Sequence, residues 1–358
     1  KRDRNSPSVI AWGVRVNNSR DFDELYFKAN KAAKDLDPTR QTLGARNFMG
    51  SRMYEDVFGY NDYSKKRTLS RLVKTGKLFV PYIITEHTGK SYPTKPYDNE
   101  SRRLEHTLRH LRVMEKTLKS RKISGAIGMS FTDFDSARRL GSGDNTNYYG
   151  VTDIFRMPKT AAAAYSSQFS QKPYLALSST LAPDEFTGKL YAFTNCDYVK
   201  LYRGETEIGE FRPDNKEFKC LPHPPIIIDE FTGDLTQSEG FTPFQAKLFK
   251  RVLKGANKRG LLNLGFADKL CYMLLKNGLK TDFDGIRELV DKYSLTSPSR
   301  SFSVEGYIGG EAAVKKTVGG SEGKRLNVSP QSDKIVCTKS YEVIKVELTM
   351  TDDDGNVL

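Results

Sequence analysis

The residues that could do chemistry in this chain sit where apolar runs end. "SVIAWGVRVNNS" runs from Ser8 through Val16 and stops on Asn17 and Asn18. "PYIITEH" stops on Glu86 and His87. A carboxylate at the end of such a strand, here Glu86, projects from the mouth of a sheet and can attack an electrophilic carbon or exchange a proton. Its ordinary alternative is a surface salt bridge. Paired amides do less, because an amide neither delivers nor takes up a proton at neutral pH. A core strand that finishes on two amides therefore asks whether a carboxylate is missing at Asn18. Tyr60, Asn61 and Asp62 close "EDVFGYND" and face either the same cleft or a turn with a buried tyrosine. Asp133 and Asp135, in "TDFDSARRLGSGD", are placed to meet hydroxyl groups or a cation, or to serve only as loop carboxylates. His106 and His110 have the i, i+4 spacing of metal ligands. No third ligand is near them in sequence, so a solvated or packing role is the better reading, and neither a metal nor a cofactor is called for.

Strands and helices must hold these groups. Residues 1–168 alternate short apolar strands (Val9–Val16, Gln41–Arg46, Asp56–Tyr60, Pro81–Thr85, Ser124–Phe131) with helical patterns at Phe22–Leu36, Asn99–Lys119 and Thr160–Gln168. Such alternation means parallel β-structure with crossover helices, either doubly wound or a (β/α) barrel. No glycine-rich phosphate loop follows a strand. Polar and acidic residues gather instead at strand C-termini, where barrel enzymes keep their chemistry. Residues 173–232 change to alternating strands around a turn at Arg203–Gly204, followed by the proline-bounded "HPPIIIDEF", and read as an antiparallel β-sandwich. Residues 233–298 are a helical stretch in which Thr242 caps a helix with Pro243 in its first position. Residues 299–358 return to strands at "SFSVEGYI", "KIVCT" and "VIKVELTMT" and read as a second sandwich that is cut short. The expected fold class is α/β plus all-β.

Composition narrows the classes. A chain of 358 residues with 28% charged residues and 37% hydrophobic ones suits two or three soluble domains. No apolar run approaches the ~18 residues of a membrane span. There is no secretory apolar region, and nothing in the sequence assigns a compartment. The net charge is +13, but the cations are spread along the chain without a basic arm or zinc-finger spacing, which argues against nucleic acid as the partner. Cys196, Cys220, Cys271 and Cys337 are far apart and are expected to be free thiols, with a Cys196–Cys220 bridge as the alternative.

Several stretches, in order, resemble family 2 of the glycoside hydrolases, and within it the β-galactosidase-like members. "RNSPSVIAWGVRVNNSRD" resembles the family's fourth barrel strand, "LDPTRQT" the opening of the fifth, "EDVFGYNDY" the sixth and "PYIITEHTGKSYPTK" the seventh. "GVTDIFRMPKTAAAAYSSQ" resembles the last barrel helix, and "FTNCDYVKLYRGETEIG" with "LPHPPIIID" the sandwich that follows. The resemblance implies a partial TIM (β/α)8 barrel followed by immunoglobulin-like β-sandwich segments. It implies retaining hydrolysis of a terminal β-glycoside by two carboxylates about 5 Å apart. Glu86 takes the nucleophile position and Asn17 the position of an asparagine that binds a sugar hydroxyl. Asn18 takes the position of the acid/base glutamate, so the resemblance implies an impaired or inactive enzyme. His87 stands where an aromatic residue is common, Lys90 where related members have histidine, and Met129 where a tryptophan floors the sugar site. Tyr60, Asn61, His87, Met129 and Asp133 are the remaining candidate substrate contacts. The expected partner is carbohydrate, a β-galactoside or a related sugar. Because the resemblance starts at the fourth barrel strand, it also implies a fragment or one half of a split enzyme, completed by a second chain or a homo-oligomer. The rival reading is a non-catalytic carbohydrate-binding or scaffold protein.

Overall fold

The structure, a computed structural model, describes residues 2–46, 48–63, 80–136, 145–181, 188–213, 215–234, 239–294, 301–319, 324–336, 341 and 343–351. It divides into two units, residues 1–98, 102–165 and 216–222 in the first and 99–101, 166–215 and 223–358 in the second.

The first unit is built on strands β1 (Ala11–Arg15), β2 (Gln41–Arg46), β3 (Val57–Asn61), β4 (Tyr82–Thr88) and β5 (Ile123–Met129). They form one parallel sheet in the order in which they are made. Helix α1 (Asp23–Leu36) joins β1 to β2, and α2 (Glu100–Lys119) joins β4 to β5. Asp23 and Glu24 lie in the first turn of α1, where they complement its dipole. Asp37 precedes Pro38, and the proline ring pushes its backbone out of the helical region, so α1 stops there. Phe58, Tyr82, Ile84 and Ile123 form the core, with Tyr60 and Val113 packed against it. Each such burial is worth ~1.5–3 kcal/mol. A short antiparallel pair, β6 (Phe134–Asp135) and β7 (Thr146–Asn147), lies after β5.

A buried ionic triad ties the first three strands together. Glu55 accepts from Arg15 Nε at 2.7 Å and from Arg46 Nη2 at 2.6 Å. Burial would push the Glu55 carboxyl up, but the Arg15 hydrogen bond and the Arg46 charge hold it below the usual carboxylate value. Arg15 also reaches Asp21 at 3.1 Å and the Arg52 carbonyl at 2.8 Å. The Arg46 guanidinium lies 4.4 Å from the Phe58 ring centre, a cation–π contact that partly replaces hydration. Gly44 leaves room for the triad: a Cβ there would fall 2.2 Å from Glu55 Oε1.

Within the second unit, β8 (Leu175–Leu177), β9 (Leu190–Thr194) and β12 (Ile226–Ile228) form one antiparallel sheet. Strands β10 (Tyr198–Arg203), β11 (Thr206–Phe211), β13 (Phe302–Ile308) and β14 (Glu311–Val318) form another. The two sheets share one apolar core, which includes Leu190, Ala192, Leu201, Ile226, Ile228, Phe302 and Val304. A helical stretch follows the short helix α3 (Ala163–Phe169) and strand β12. It consists of α4 (Pro243–Arg259), α5 (Phe266–Leu279) and α6 (Phe283–Tyr293), packed around Phe249, Val252, Leu275 and Ile286. Thr242 and Gln245 form a capping box, and Pro243 starts α4. Strands β15 (Arg325–Pro330) and β16 (Val346–Thr351) form a two-stranded sheet among the described residues. Leu326, Val328, Val346, Leu348 and Met350 all stand exposed on this ribbon.

Several sequence expectations change here. The boundary at 299 does not separate the strands around it, because β13 pairs along β10 from Tyr198↔Tyr307 to Arg203↔Phe302. β14 and β15 were missed, since their faces are too polar or too exposed to alternate clearly. "KIVCT" gives no strand at Lys334–Val336, and its Cys337 lies outside the described residues, as does the terminal "DDDGNVL". Cys196, Cys220 and Cys271 are free. Among the described residues, no helix is long and apolar enough to cross a membrane.

Candidate functional site

The C-terminal ends of β1, β3, β4 and β5 bring four groups together. Glu86, half-buried on β4, accepts from Asn17 Nδ2 at 3.3 Å through one carboxylate oxygen. Tyr63, two residues past β3, donates its hydroxyl to the other oxygen. The same hydroxyl lies 3.1 Å from the Met129 sulfur at the end of β5. One phenolic proton cannot serve both, and the carboxylate is the stronger acceptor. Burial, then the hydrogen bond to Glu86 and its charge, push the Tyr63 phenol above its usual value, so it remains a neutral donor. The Asp62 amide donates to the Glu86 carbonyl at 2.9 Å, which fixes β4 against the β3 end.

This arrangement follows from strand alternation. Residues in the parallel sheet point alternately to its two faces. Glu86 takes one face, and His87 takes the other. His87 is 1% exposed, pairs through Nδ1 with Thr88 Oγ1 at 2.9 Å and meets the His110 ring edge-on at 5.3 Å. Its ring therefore packs into a buried cluster and away from Glu86. His106 and His110 belong to the same buried cluster. Their Nε2 atoms are 3.3 Å apart, and His110 Nδ1 lies 3.0 Å from Tyr165 Oη. Burial lowers His87 to about 4 and, with the charges of Lys159, Arg102 and Arg109, His106 to about 3; it also holds His110 well below the usual imidazole value. Among the described residues, no group of three or more His, Cys, Asp or Glu side chains could hold a metal ion.

Asp133 is also buried, in an ion pair. Both its oxygens face Lys159 Nζ, at 2.7 and 2.9 Å, and Oδ1 also accepts from the Gly150 amide. Only 2% of the residue is exposed. The pair pins the loop after β5. Tyr60 packs on the apolar core, and the Asn61 amide oxygen accepts from Thr85 Oγ1 at 2.7 Å. Asp135 accepts from Thr146 Oγ1 at 3.0 Å between β6 and β7. Asn18 is exposed, and its side chain makes no hydrogen bond among the described residues. Sequence reasoning missed Tyr63. The only signal was a tyrosine placed just beyond a strand end that already carried an amide and a carboxylate.

Comparisons with known proteins follow the same lines. No family model matches the chain. In sequence it is 42% identical over 244 residues to a β-galactosidase of Thermoanaerobacterium thermosulfurigenes, a match covering 64% of this chain and 34% of that protein. In structure it is similar to a β-glycosidase from Bacteroides vulgatus, with a TM-score of 0.60 and 15% identity over 99% of this chain and 42% of that one. It is also similar to a glycosyl hydrolase family 2 member from Bacteroides cellulosilyticus DSM 14838, with a TM-score of 0.55 and 12% identity over 99% and 39% of the two chains. At these identities the structural likeness shows the fold alone. The chain spans between 31% and 34% of the length of the curated relatives it matches. By sequence the chain is β-galactosidase-like, and in fold it is similar to a member of glycosyl hydrolase family 2.

Proposed function

We propose that the first unit carries part of a retaining β-glycosidase site in which Glu86 is the nucleophile and Asn18 occupies the acid/base position. The single observation that carries this reading is the hold on Glu86, whose two carboxylate oxygens meet Asn17 and Tyr63 at the C-terminal end of a parallel strand. Five parallel strands in sequential order support a reading as barrel strands four to eight. The two sheets around one core support an immunoglobulin-like sandwich after them. β1 has a second edge that is unpaired among the described residues, and further strands would join there, from this polypeptide, a complementing chain or another copy.

In the proposed reaction Glu86 attacks the anomeric carbon of a terminal β-galactoside or related sugar as the bond to the leaving oxygen breaks. That oxygen needs a proton, and the Asn18 amide has none to give. Water must then cleave the glycosyl ester, and Asn18 cannot take up its proton. Both steps are slowed, by roughly 10²–10⁴-fold for a positioned acid/base. A dinitrophenyl β-galactoside avoids the first difficulty but not the second. It should give a burst of dinitrophenolate, a glycosylated Glu86 found by peptide mass, and acceleration by azide. Asn18→Glu should raise steady turnover roughly 10²-fold or more. No burst, no labelled Glu86 and no gain in Asn18→Glu together refute the proposal.

A second reading, carbohydrate binding without turnover, is favoured by Asn18 and by Met129, a thioether where the family resemblance implies an aromatic platform. Calorimetric binding of galactosides with no burst selects it.

A further inference from the structure

Helix α4 carries six cations, Lys247, Lys250, Arg251, Lys254, Lys258 and Arg259, and no acidic residue. Several fall at i, i+4: 247 with 251, 250 with 254, and 254 with 258. Like charges at this spacing weaken a helix by a few tenths of a kcal/mol per pair. The sequence keeps them nonetheless, and all but Lys247 line one cavity of about 560 Å³ in the second unit. Three carboxylates answer them there. Lys254 meets Asp229 at 2.9 Å, and Lys250 meets Glu230 at 3.7 Å. Arg251 and Arg259 share the single carboxylate of Asp268. Glu230 is further occupied, since its Oε1 accepts from the Thr232 and Gly233 amides. Lys258 has no ion-pair partner among the described residues. Among the described residues, five cations against three carboxylates leave the cavity lining with a surplus of two positive charges. Two of the cations are guanidinium forks on one helix, suited to oxyanions.

We propose that this cavity binds a compact polyanion through its sulfate or phosphate oxygens. The geometry favours a ligand over a plain solvated face because the cations converge on a concave space and one carboxylate is divided between two arginines. A multiply charged oxyanion would relieve the i, i+4 repulsion and complete the coordination of Arg251, Arg259 and Lys258. The inference is independent of the glycosidase reading, as no residue of the first unit takes part.

The test is titration calorimetry on the full chain at low salt, with inorganic tripolyphosphate in one arm and a heparin-derived tetrasaccharide in the other. The expected result is one site for at least one probe, weakened by added salt. Tightness in one arm alone identifies phosphate or sulfated sugar as the source. Lys258→Ala removes a cation that has no partner to strand. It should weaken binding about fivefold, the value of one charge contact near 4 Å in water. Lys254→Glu with Lys258→Glu should weaken it by more than tenfold. Amide hydrogen exchange on the unmodified protein gives a readout that needs no variant, and protection is expected over 250–259. Absence of binding in both arms overturns the proposal. So does binding that Lys258→Ala leaves unchanged, protection confined to other segments, or tighter binding of a short DNA duplex than of either probe.

Discussion

Acidification should unfold the first unit, and the amount can be worked from the histidine cluster. His87, His106 and His110 are all but fully buried in one cluster, with Thr88 and Tyr165 as hydroxyl neighbours and, among the described residues, no carboxylate hydrogen-bonded to an imidazole. Burial keeps them neutral in the fold, His87 down to about 4 and His106 to about 3, with His110 lowered in the same direction. In the unfolded chain each returns to a pKa of about 6.5. Between those values the unfolded chain binds protons that the folded one does not, so stability rises with pH across this window and falls as pH drops through it. Each group contributes up to about 1.4 kcal/mol per pH unit, so going from pH 7 to 5 costs roughly 1.8 kcal/mol per histidine and about 5 kcal/mol for three. That is comparable to the whole stability of a typical domain. Asp37, held well below the usual carboxylate value first by Thr39 and then by Arg40, titrates below this window in the fold and adds little above pH 5. Trp12 is the only tryptophan and hydrogen-bonds Asp37 at 3.0 Å, so its fluorescence reports on the first unit alone. The urea midpoint followed by that fluorescence should fall steeply between pH 7 and 5. A midpoint that stays flat over this range, or cluster imidazole signals titrating near 6.5 in the native protein, would refute the reasoning.

Glu55→Gln leaves Arg15 and Arg46 buried against a neutral amide and should cost about 3–5 kcal/mol, read as a lowered urea midpoint. Gly128→Ala drives a Cβ to 2.1 Å from Tyr165 Oη and 3.2 Å from His110 Nδ1, an overpacking worth roughly 1–3 kcal/mol. Adding Tyr165→Phe to that variant removes the clashing oxygen and should recover part of the loss. Tyr63→Phe takes the hydrogen bond from Glu86 and should slow the dinitrophenolate burst by roughly 10–100-fold, the value of a bond to a charged group, with the urea midpoint nearly unchanged.

The parallel sheet was legible because each strand is a short apolar run closed by polar residues, and the placing of Asn17 and Glu86 at strand ends, where they meet, follows from the same runs. Direction was harder. His87 follows Glu86 by one residue, yet it turns toward α2 and into the histidine cluster, a contact with His110 that no local pattern announces. Asp133 looked available because its partner Lys159 lies far along the chain. Tyr63 sits in a loop without periodicity. The pairing of β13 with β10 spans the whole helical stretch, and short alternating strands carry no record of which distant edge they join.

The order of the sheets also bears on synthesis. In the parallel sheet of the first unit each of β2 to β5 pairs with the strand made just before it, so the sheet can extend by one strand as each leaves the ribosome. The sandwich has no such freedom. β10 gains its inner neighbour only when residues 302–308 have been translated, and until then its hydrogen-bonding edge stays open in the nascent chain.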